Sequence, residues 1–151
     1  MQELTLSSQA VRLIYPVLAM VLLSFVVLGV LGTLRVSAVA RRTYPRGYFK
    51  TLKAPADAEL PRRPEAVARN FINLFEVPVL FYAFVPLALL YGVADDYTPK
   101  CLWAFVGFRY VHTLIHVTVN KIPWRFGAYL GAAISLASAW LHLGVVVTNR
   151  V

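Results

Sequence analysis

The stretch RNFINLFEVPVLFYAF, residues 69–84, opens a long apolar run that nevertheless carries an arginine, an asparagine and a glutamate. On an α-helix, at about 100° per residue, Asn73 lies about 40° from Arg69, and Glu76 lies about 20° to the other side. The three polar side chains therefore share one narrow face. This pattern predicts a membrane-crossing helix whose polar face is turned toward other protein groups rather than toward lipid.

The composition identifies an integral membrane protein. The 151 residues suffice for one domain, and 59% are hydrophobic while only 15% are charged, against roughly 45–50% and 25% in soluble domains. A small globular core cannot bury such an excess. The net charge of +8 sits mainly between apolar segments, which marks membrane orientation and not nucleic-acid binding. The single cysteine, Cys101, excludes an internal disulfide and a multi-cysteine metal site.

Four apolar segments approach the roughly 20 residues that a membrane-spanning helix needs. They cover residues 13–34, 71–94, 102–119 and 126–147, and a basic loop, residues 35–68, follows the first. We predict an all-α fold, an integral membrane four-helix bundle that forms a single domain over residues 1–151. A cleaved signal peptide is the weaker interpretation of the first segment, because its apolar part is too long and the basic residues follow it.

The distribution of lysine and arginine predicts the orientation of this bundle. Residues 35–69 together with Lys121 and Arg125 hold eleven basic residues, whereas the opposite side holds three: Arg12, Lys100 and Arg150. Positively charged loops remain on the cytoplasmic side of a membrane. We therefore expect a multi-pass protein with a cytoplasmic loop 35–68 and both termini facing outward.

The third segment, LWAFVGFRYVHTLIHVTV, also carries its polar residues on one helical face. We expect Arg109 to form an ion pair with Glu76, because each charge lowers the cost of burying the other. One interpretation is a structural ion pair; the other is a cationic cavity for a polar anion. The cavity interpretation accounts for more of the polar residues: Arg69, Asn73, Glu76, Arg109, His112, His116, Asn120 and Arg125. Two histidines four residues apart, without acidic or cysteine companions, are a weak signal for metal or haem, so we predict no metal site.

The order of these motifs resembles the MAPEG family, the membrane-associated proteins of eicosanoid and glutathione metabolism. The motif Arg69-x3-Asn73-x2-Glu76 with a proline close behind is similar to the second-helix motif of that family. Arg109, the pair His112-Thr113 and the KIPWR turn resemble its prostaglandin E synthase branch. The resemblance extends over nearly the whole chain.

The resemblance implies a homotrimer that holds glutathione, as co-substrate, between neighbouring subunits near the cytoplasmic side. It implies a set of glutathione-binding residues: Arg69, Asn73, Glu76, Arg109, His112 and His116. It also implies that Arg125 lies close to the glutathione sulfur as the catalytic residue. A guanidinium near a thiol favours the nucleophilic thiolate, and arginine stays charged when buried.

Three departures from the family pattern bear on activity. His116 stands where enzymatic members often carry tyrosine, Phe126 replaces a serine, and Pro78 follows Glu76 more closely than usual. They suggest a divergent bacterial branch in the inner membrane. We predict a glutathione-dependent transferase or peroxidase acting on a lipophilic electrophile, with membrane lipids as surroundings. The alternative is a non-catalytic lipid- or partner-binding member, and the sequence leaves open whether the chain is an enzyme and whether it uses glutathione or a similar thiol.

The orientation can be tested by labelling a single-cysteine variant. With the only cysteine placed at position 56, replacing Ala56, an impermeant maleimide added to intact cells should leave the protein unlabelled, because the loop is cytoplasmic. Labelling should appear after permeabilisation. Efficient labelling from outside would overturn the predicted orientation.

Overall fold

The computed structural model describes residues 8–45, 47–53, 59–93 and 95–150. Every regular element within those ranges is a helix, which confirms the all-α prediction. In chain order the helices are α1 (Ser8–Ala40), α2 (Tyr48–Thr51), α3 (Arg62–Asn73), α4 (Pro78–Leu90), α5 (Tyr97–Val117) and α6 (Ile122–Thr148).

Three helical stretches in the described part of the chain are long and apolar enough to cross a membrane. They are Val11–Ala40, Ile122–Thr148 and the combined α3–α4 stretch Arg62–Leu90. Helix α5 has 21 residues, about 30 Å at 1.5 Å per residue, so it is long enough but less apolar. Its polar residues Arg109, His112 and His116 are buried inside the protein and do not face the surroundings.

A turn at residues 74–77 interrupts the helix that the sequence predicted as continuous over 71–94. Pro78 has no N–H and therefore cannot bond the carbonyl of Leu74. The amides of Phe75 and Leu80 bond three residues back, to Ile72 and Val77, at 2.9 and 3.0 Å. The turn ends the regular pattern at Asn73, whose carbonyl becomes available to another helix.

Helix α5 lies at the centre of the bundle and packs most extensively along α6. Gly131 of α6 makes this approach possible: a Cβ there would lie 2.7 Å from the ring carbon Cε1 of Phe108. Helix α1 packs against α3 and α5, and the Tyr110 hydroxyl donates to the Ala19 carbonyl at 2.8 Å. These contacts place the polar face of α5 opposite α3.

A group of aromatic rings lies within the apolar core and joins α4, α5 and α6. Phe81 of α4 stacks on Phe105 of α5 at 4.8 Å between ring centres, and Phe84 meets Trp140 of α6 edge-on at 5.4 Å. Phe81, Phe84 and Phe105 have no exposed surface. Aromatic pairs of this kind stabilise a core beyond their buried area, and they anchor α4, α5 and α6.

The loop after α1 folds back onto α3 through aromatic rings. Tyr44 stacks on Tyr48 at 4.9 Å and contacts Phe49 edge-on. The Tyr44 hydroxyl donates to Glu65 Oε1 at 3.1 Å. Burial, with the adjacent Glu65 carboxylate, raises the pKa of Tyr44 to about 12. The loop therefore fixes the first turn of α3 against α1.

Asp95 lies at the end of the bundle opposite the basic loop and accepts hydrogen bonds there. Its Oδ1 accepts the amides of Tyr97 and Thr98 at 3.2 and 2.8 Å, at the start of α5. Its Oδ2 pairs with Nε2 of His142 on α6. Burial favours a raised pKa for Asp95, but the hydrogen bonds from Thr98 and His142 outweigh it, and the pKa is lowered from 3.8. Asp95 therefore joins the start of α5 to α6.

We expect Asp95→Ala to destabilise the protein by about 1 kcal/mol at pH 7, the usual cost of losing such a helix-start acceptor. Because the folded-state pKa is depressed, this contribution is present above about pH 4 and is lost as the pH falls through the folded pKa. Thermal unfolding of the detergent-purified wild type and variant, recorded at several pH values, measures this difference in stability.

Asp96→Ala is the matched control. Asp96 pairs with Arg12 at 3.0 Å, but the two side chains are 75% and 60% exposed, and exposed pairs contribute little. Equal losses for the two variants, or a loss for Asp95→Ala that persists unchanged at low pH, would contradict the assigned role.

Candidate functional site

A cavity of about 440 Å³ lies between α3, the end of α5 and the start of α6, within the range of small-molecule sites. We call it the polar cavity. Its lining residues are Arg69, Ile72, Asn73, Glu76, His112, His116, Ile122, Arg125, Phe126 and Tyr129. This set contains six of the seven residues that the family resemblance implies for the site. The seventh, Arg109, does not line the cavity but donates to the carbonyl of Asn73, which does.

Arg109 has no exposed surface. Its Nη2 donates to the backbone carbonyl of Asn73 at 2.8 Å, the carbonyl that the turn before Pro78 makes available. Nε and Nη1 are buried and have no hydrogen-bond partner among the described residues. A buried cation with unused donors is costly, so Arg109 presents unsatisfied positive charge next to the cavity.

The expected ion pair between Arg109 and Glu76 is wrong. Glu76 lies in the turn after α3 and is exposed, and its Oε2 accepts the side-chain amide of Asn73 at 2.6 Å. Asn73 thus stands between the two charges, with its carbonyl on Arg109 and its amide on Glu76. The prediction failed because it assumed a continuous helix, whereas the turn rotates Glu76 away from α5.

The guanidinium of Arg125 is positioned by the turn between α5 and α6. Asn120 adopts a positive φ of 47°, a conformation that asparagine tolerates better than most residues. Its Oδ1 accepts from Nη1 of Arg125 at 2.7 Å. The Arg125 carbonyl lies 3.1 Å from Nδ1 of His112, which therefore donates to it. The backbone carbonyl and the guanidinium of Arg125 are therefore both held by hydrogen bonds without a ligand.

The two histidines of α5 line the same wall. The rings of His112 and His116 meet edge-on with centres 5.6 Å apart. Nε2 of His112 and both ring nitrogens of His116 are buried without a hydrogen-bond partner in the part of the chain that the structure describes. That part contains no group of three or more histidine, cysteine, aspartate or glutamate side chains arranged to bind a metal ion.

Unpartnered polar atoms concentrate at this site. Among the described residues, nine buried side-chain nitrogen or oxygen atoms lack a partner, and six of them belong to Arg109, Asn73, His112 and His116. Buried polar groups are normally satisfied, and an exception calls for an explanation such as a ligand or a catalytic role. The clustering makes the polar cavity the candidate functional site.

Sequence reasoning missed two parts of this arrangement. Tyr129 lines the cavity and lies one helical turn after Arg125, so the spacing of four residues was an available signal. Asn70 and Thr113 form a buried pair at 3.4 Å that ties α3 to α5. No spacing within one helix could reveal that pair, because it depends on how the two helices meet.

The chain is an all-helical membrane protein, and its candidate site is cationic and lies at the end of the bundle near the basic loop. A model of the MAPEG family matches residues 13–145, so the chain belongs to the MAPEG family. No curated protein and no solved structure matches the chain. Membership indicates an integral membrane protein with a function related to glutathione chemistry.

We expect Arg109→Met to separate ligand binding from folding. A structural buried charge costs about 3–5 kcal/mol when its partner is removed. Arg109, however, makes one bond among the described residues, to a carbonyl. Replacing it removes that bond but also the cost of burying a cation, so the free energy of unfolding should change by less than about 1 kcal/mol. Thermal unfolding without ligand should be nearly unchanged, whereas stabilisation by an anionic thiol such as glutathione should disappear.

Phe105→Ala serves as the control for a residue with a structural role. This change empties a fully buried position and should cost about 3–5 kcal/mol. If Arg109→Met destabilises the ligand-free protein as strongly as Phe105→Ala does, Arg109 is a structural residue and the assignment fails.

Proposed function

We propose that the protein is a membrane glutathione-dependent transferase or peroxidase that acts on a lipophilic electrophile. The observation that carries this proposal is the cluster of unpartnered buried polar atoms around the polar cavity. Glutathione offers two carboxylates and one ammonium group. The three arginines Arg69, Arg109 and Arg125 match the two carboxylates and the thiolate in number, and Glu76 matches the ammonium.

In this proposal Arg125 supports the nucleophile. A guanidinium beside a thiol lowers the pKa of that thiol and raises the fraction present as thiolate. Asn120 fixes the Nη1 side of Arg125, so the charge is preorganised at low entropic cost. The thiolate sulfur then forms a bond to the electrophilic carbon, and the electron pair leaves with the displaced group. With a peroxide, two thiols become a disulfide while the peroxide becomes an alcohol and water.

The remaining residues bind and orient the tripeptide in this scheme. Asn73 is held by Arg109 and by Glu76, so its side chain is ordered before binding. His112 and His116 supply ring nitrogens without partners in the described structure. Tyr129 brings a phenol to the same cavity, in a site where His116 replaces the family tyrosine.

We further propose a homotrimer in which a neighbouring subunit completes the polar cavity. Apolar side chains at its mouth are strongly exposed in the single chain: Ile72 61%, Ile122 67% and Phe126 61%. A polar ligand beside such groups needs a cover that excludes lipid, and a second subunit provides one. Helix α5 would be the fourth membrane span, since its polar groups face inward.

The proposed setting is the inner membrane of a bacterium. The basic loop would face the cytoplasm, where low-molecular-weight thiols are kept reduced, and both termini would face outward. The polar cavity lies at the basic end of the bundle, next to Arg125. The lipophilic acceptor would enter between helices from the bilayer.

The second candidate function is a non-catalytic lipid- or partner-binding member of the same fold. Phe126 favours it: this exposed ring lies next to Arg125, where the family pattern has a serine hydroxyl. In this alternative the cavity binds its ligand without activating a thiol.

We expect glutathione added to wild-type protein at neutral pH to give a thiolate absorbance band. Arg125→Leu should reduce the thiolate fraction about tenfold or more, since a neighbouring positive charge shifts a pKa by 1–3 units. Binding should be weakened less, because Arg69 and Arg109 remain. Ultraviolet difference spectra with parallel calorimetry give both quantities.

Lys121→Leu is the matched control, since Lys121 is a cation at the start of α6 that does not line the cavity. It should leave the thiolate band intact. Wild-type protein that binds glutathione without a thiolate band, and without turnover of model electrophiles, would favour the non-catalytic alternative.

A further inference from the structure

A second cavity, of about 950 Å³, lies between α1, α3 and the end of α5. We call it the arginine groove. Its lining residues are Val30, Leu34, Leu60, Arg62, Arg63, Glu65, Ala66, Val67, Arg69, His116, Val117, Thr118 and Asn120. It shares Arg69 and His116 with the polar cavity, but its arginines at the start of α3 and its α1 wall take no part in the proposed chemistry.

The charge of the groove fits an anion. Arg62, Arg63 and Arg69 line it with a single carboxylate, that of Glu65. Glu65 already accepts a hydrogen bond from the Tyr44 hydroxyl at 3.1 Å. The planar guanidinium group suits the oxygens of a phosphate better than an ammonium group does.

The start of α3 adds backbone donors to these side chains. The helix begins at Arg62, and the first backbone bond near its start is that of the Glu65 amide to the Pro61 carbonyl. The amides of Arg62 and Arg63 therefore have no acceptor within the helix, and no side chain in the described residues caps them. A helix start of this kind carries partial positive charge and binds anions.

A buried, unpartnered side chain supplies an independent observation. His116 is only 6% exposed and lines the groove. Neither of its ring nitrogens has a hydrogen-bond partner within the described ranges. Polar groups buried to this degree are normally satisfied. The inner wall of the groove therefore contains an imidazole that lacks a hydrogen-bond partner.

Part of the remaining wall is apolar and lies on a helix that can cross a membrane. Val30 and Leu34 lie on α1, inside the stretch Val11–Ala40 that can cross a bilayer. Val67 and Val117 continue the apolar surface from α3 and α5. A free phosphate would use the arginines and leave this surface uncovered, whereas an acyl chain would cover it.

We propose that the arginine groove binds an anionic membrane lipid. Its phosphate is held by Arg62, Arg63 and the start of α3, and an acyl chain lies along Val30 and Leu34. This inference goes beyond the proposed function and does not depend on it. A bound lipid would tie α1 to α3 next to the polar cavity, which shares Arg69 and His116 with the groove.

Native mass spectrometry of the detergent-purified full chain tests this proposal. Dioleoyl phosphatidylglycerol should bind about tenfold tighter than dioleoyl phosphatidylcholine, because both carry the phosphate but only the choline head group adds a positive charge that the arginines repel. The double variant Arg62→Gln/Arg63→Gln should lose that preference. Arg62→Lys/Arg63→Lys keeps the charge and should retain part of it.

Arg41→Gln/Lys50→Gln is the matched control, because it removes two exposed cations of the same basic region that do not line the groove. It should keep the preference, and all variants should match the wild-type unfolding temperature. Equal binding of the two lipids, or equal loss in the control, overturns the proposal. Displacement of the lipid by an equal concentration of glycerol phosphate would assign the groove to a soluble phosphate and overturn the lipid assignment.

Discussion

The buried guanidinium of Arg109 is the constraint around which the site is organised. It has no exposed surface and makes one hydrogen bond, to the Asn73 carbonyl. That carbonyl is available because the regular helix α3 ends at Asn73, at the turn that precedes Pro78. Burying a cation that makes a single hydrogen bond disfavours folding. The arrangement is therefore best explained by a ligand that supplies the missing negative charge.

The polar side chains at the two ends of the bundle differ in how fully their hydrogen bonds are satisfied. At the end away from the basic loop Asp95 is satisfied by the amides at the start of α5 and by His142, so its charge contributes to stability. At the basic end the polar atoms of Arg109, His112 and His116 are left without partners in the described structure. The cavity therefore retains unsatisfied groups that a ligand can use.

The length of the apolar segments predicted the all-α class, and the 3.6-residue repeat predicted the polar faces of α3 and α5. It placed six residues around one cavity, yet it missed the turn at 74–77 and therefore the position of Glu76. A proline after a polar residue signals a possible break, but the new partner of the freed carbonyl depends on a distant helix. The Asn70–Thr113 pair and the Asp95–His142 pair were missed for the same reason: each joins residues that are distant in the chain.

The central claim is that unsatisfied positive charge at a subunit boundary is completed by the carboxylates of glutathione. Native mass spectrometry in lipid nanodiscs, comparing glutathione with its diethyl ester, tests it most directly. We predict assemblies of three chains that bind glutathione at least about tenfold tighter than the ester, since charge-assisted hydrogen bonds contribute about 1.5–3 kcal/mol each. A monomer that binds glutathione, or equal affinity for the two compounds, would contradict the account.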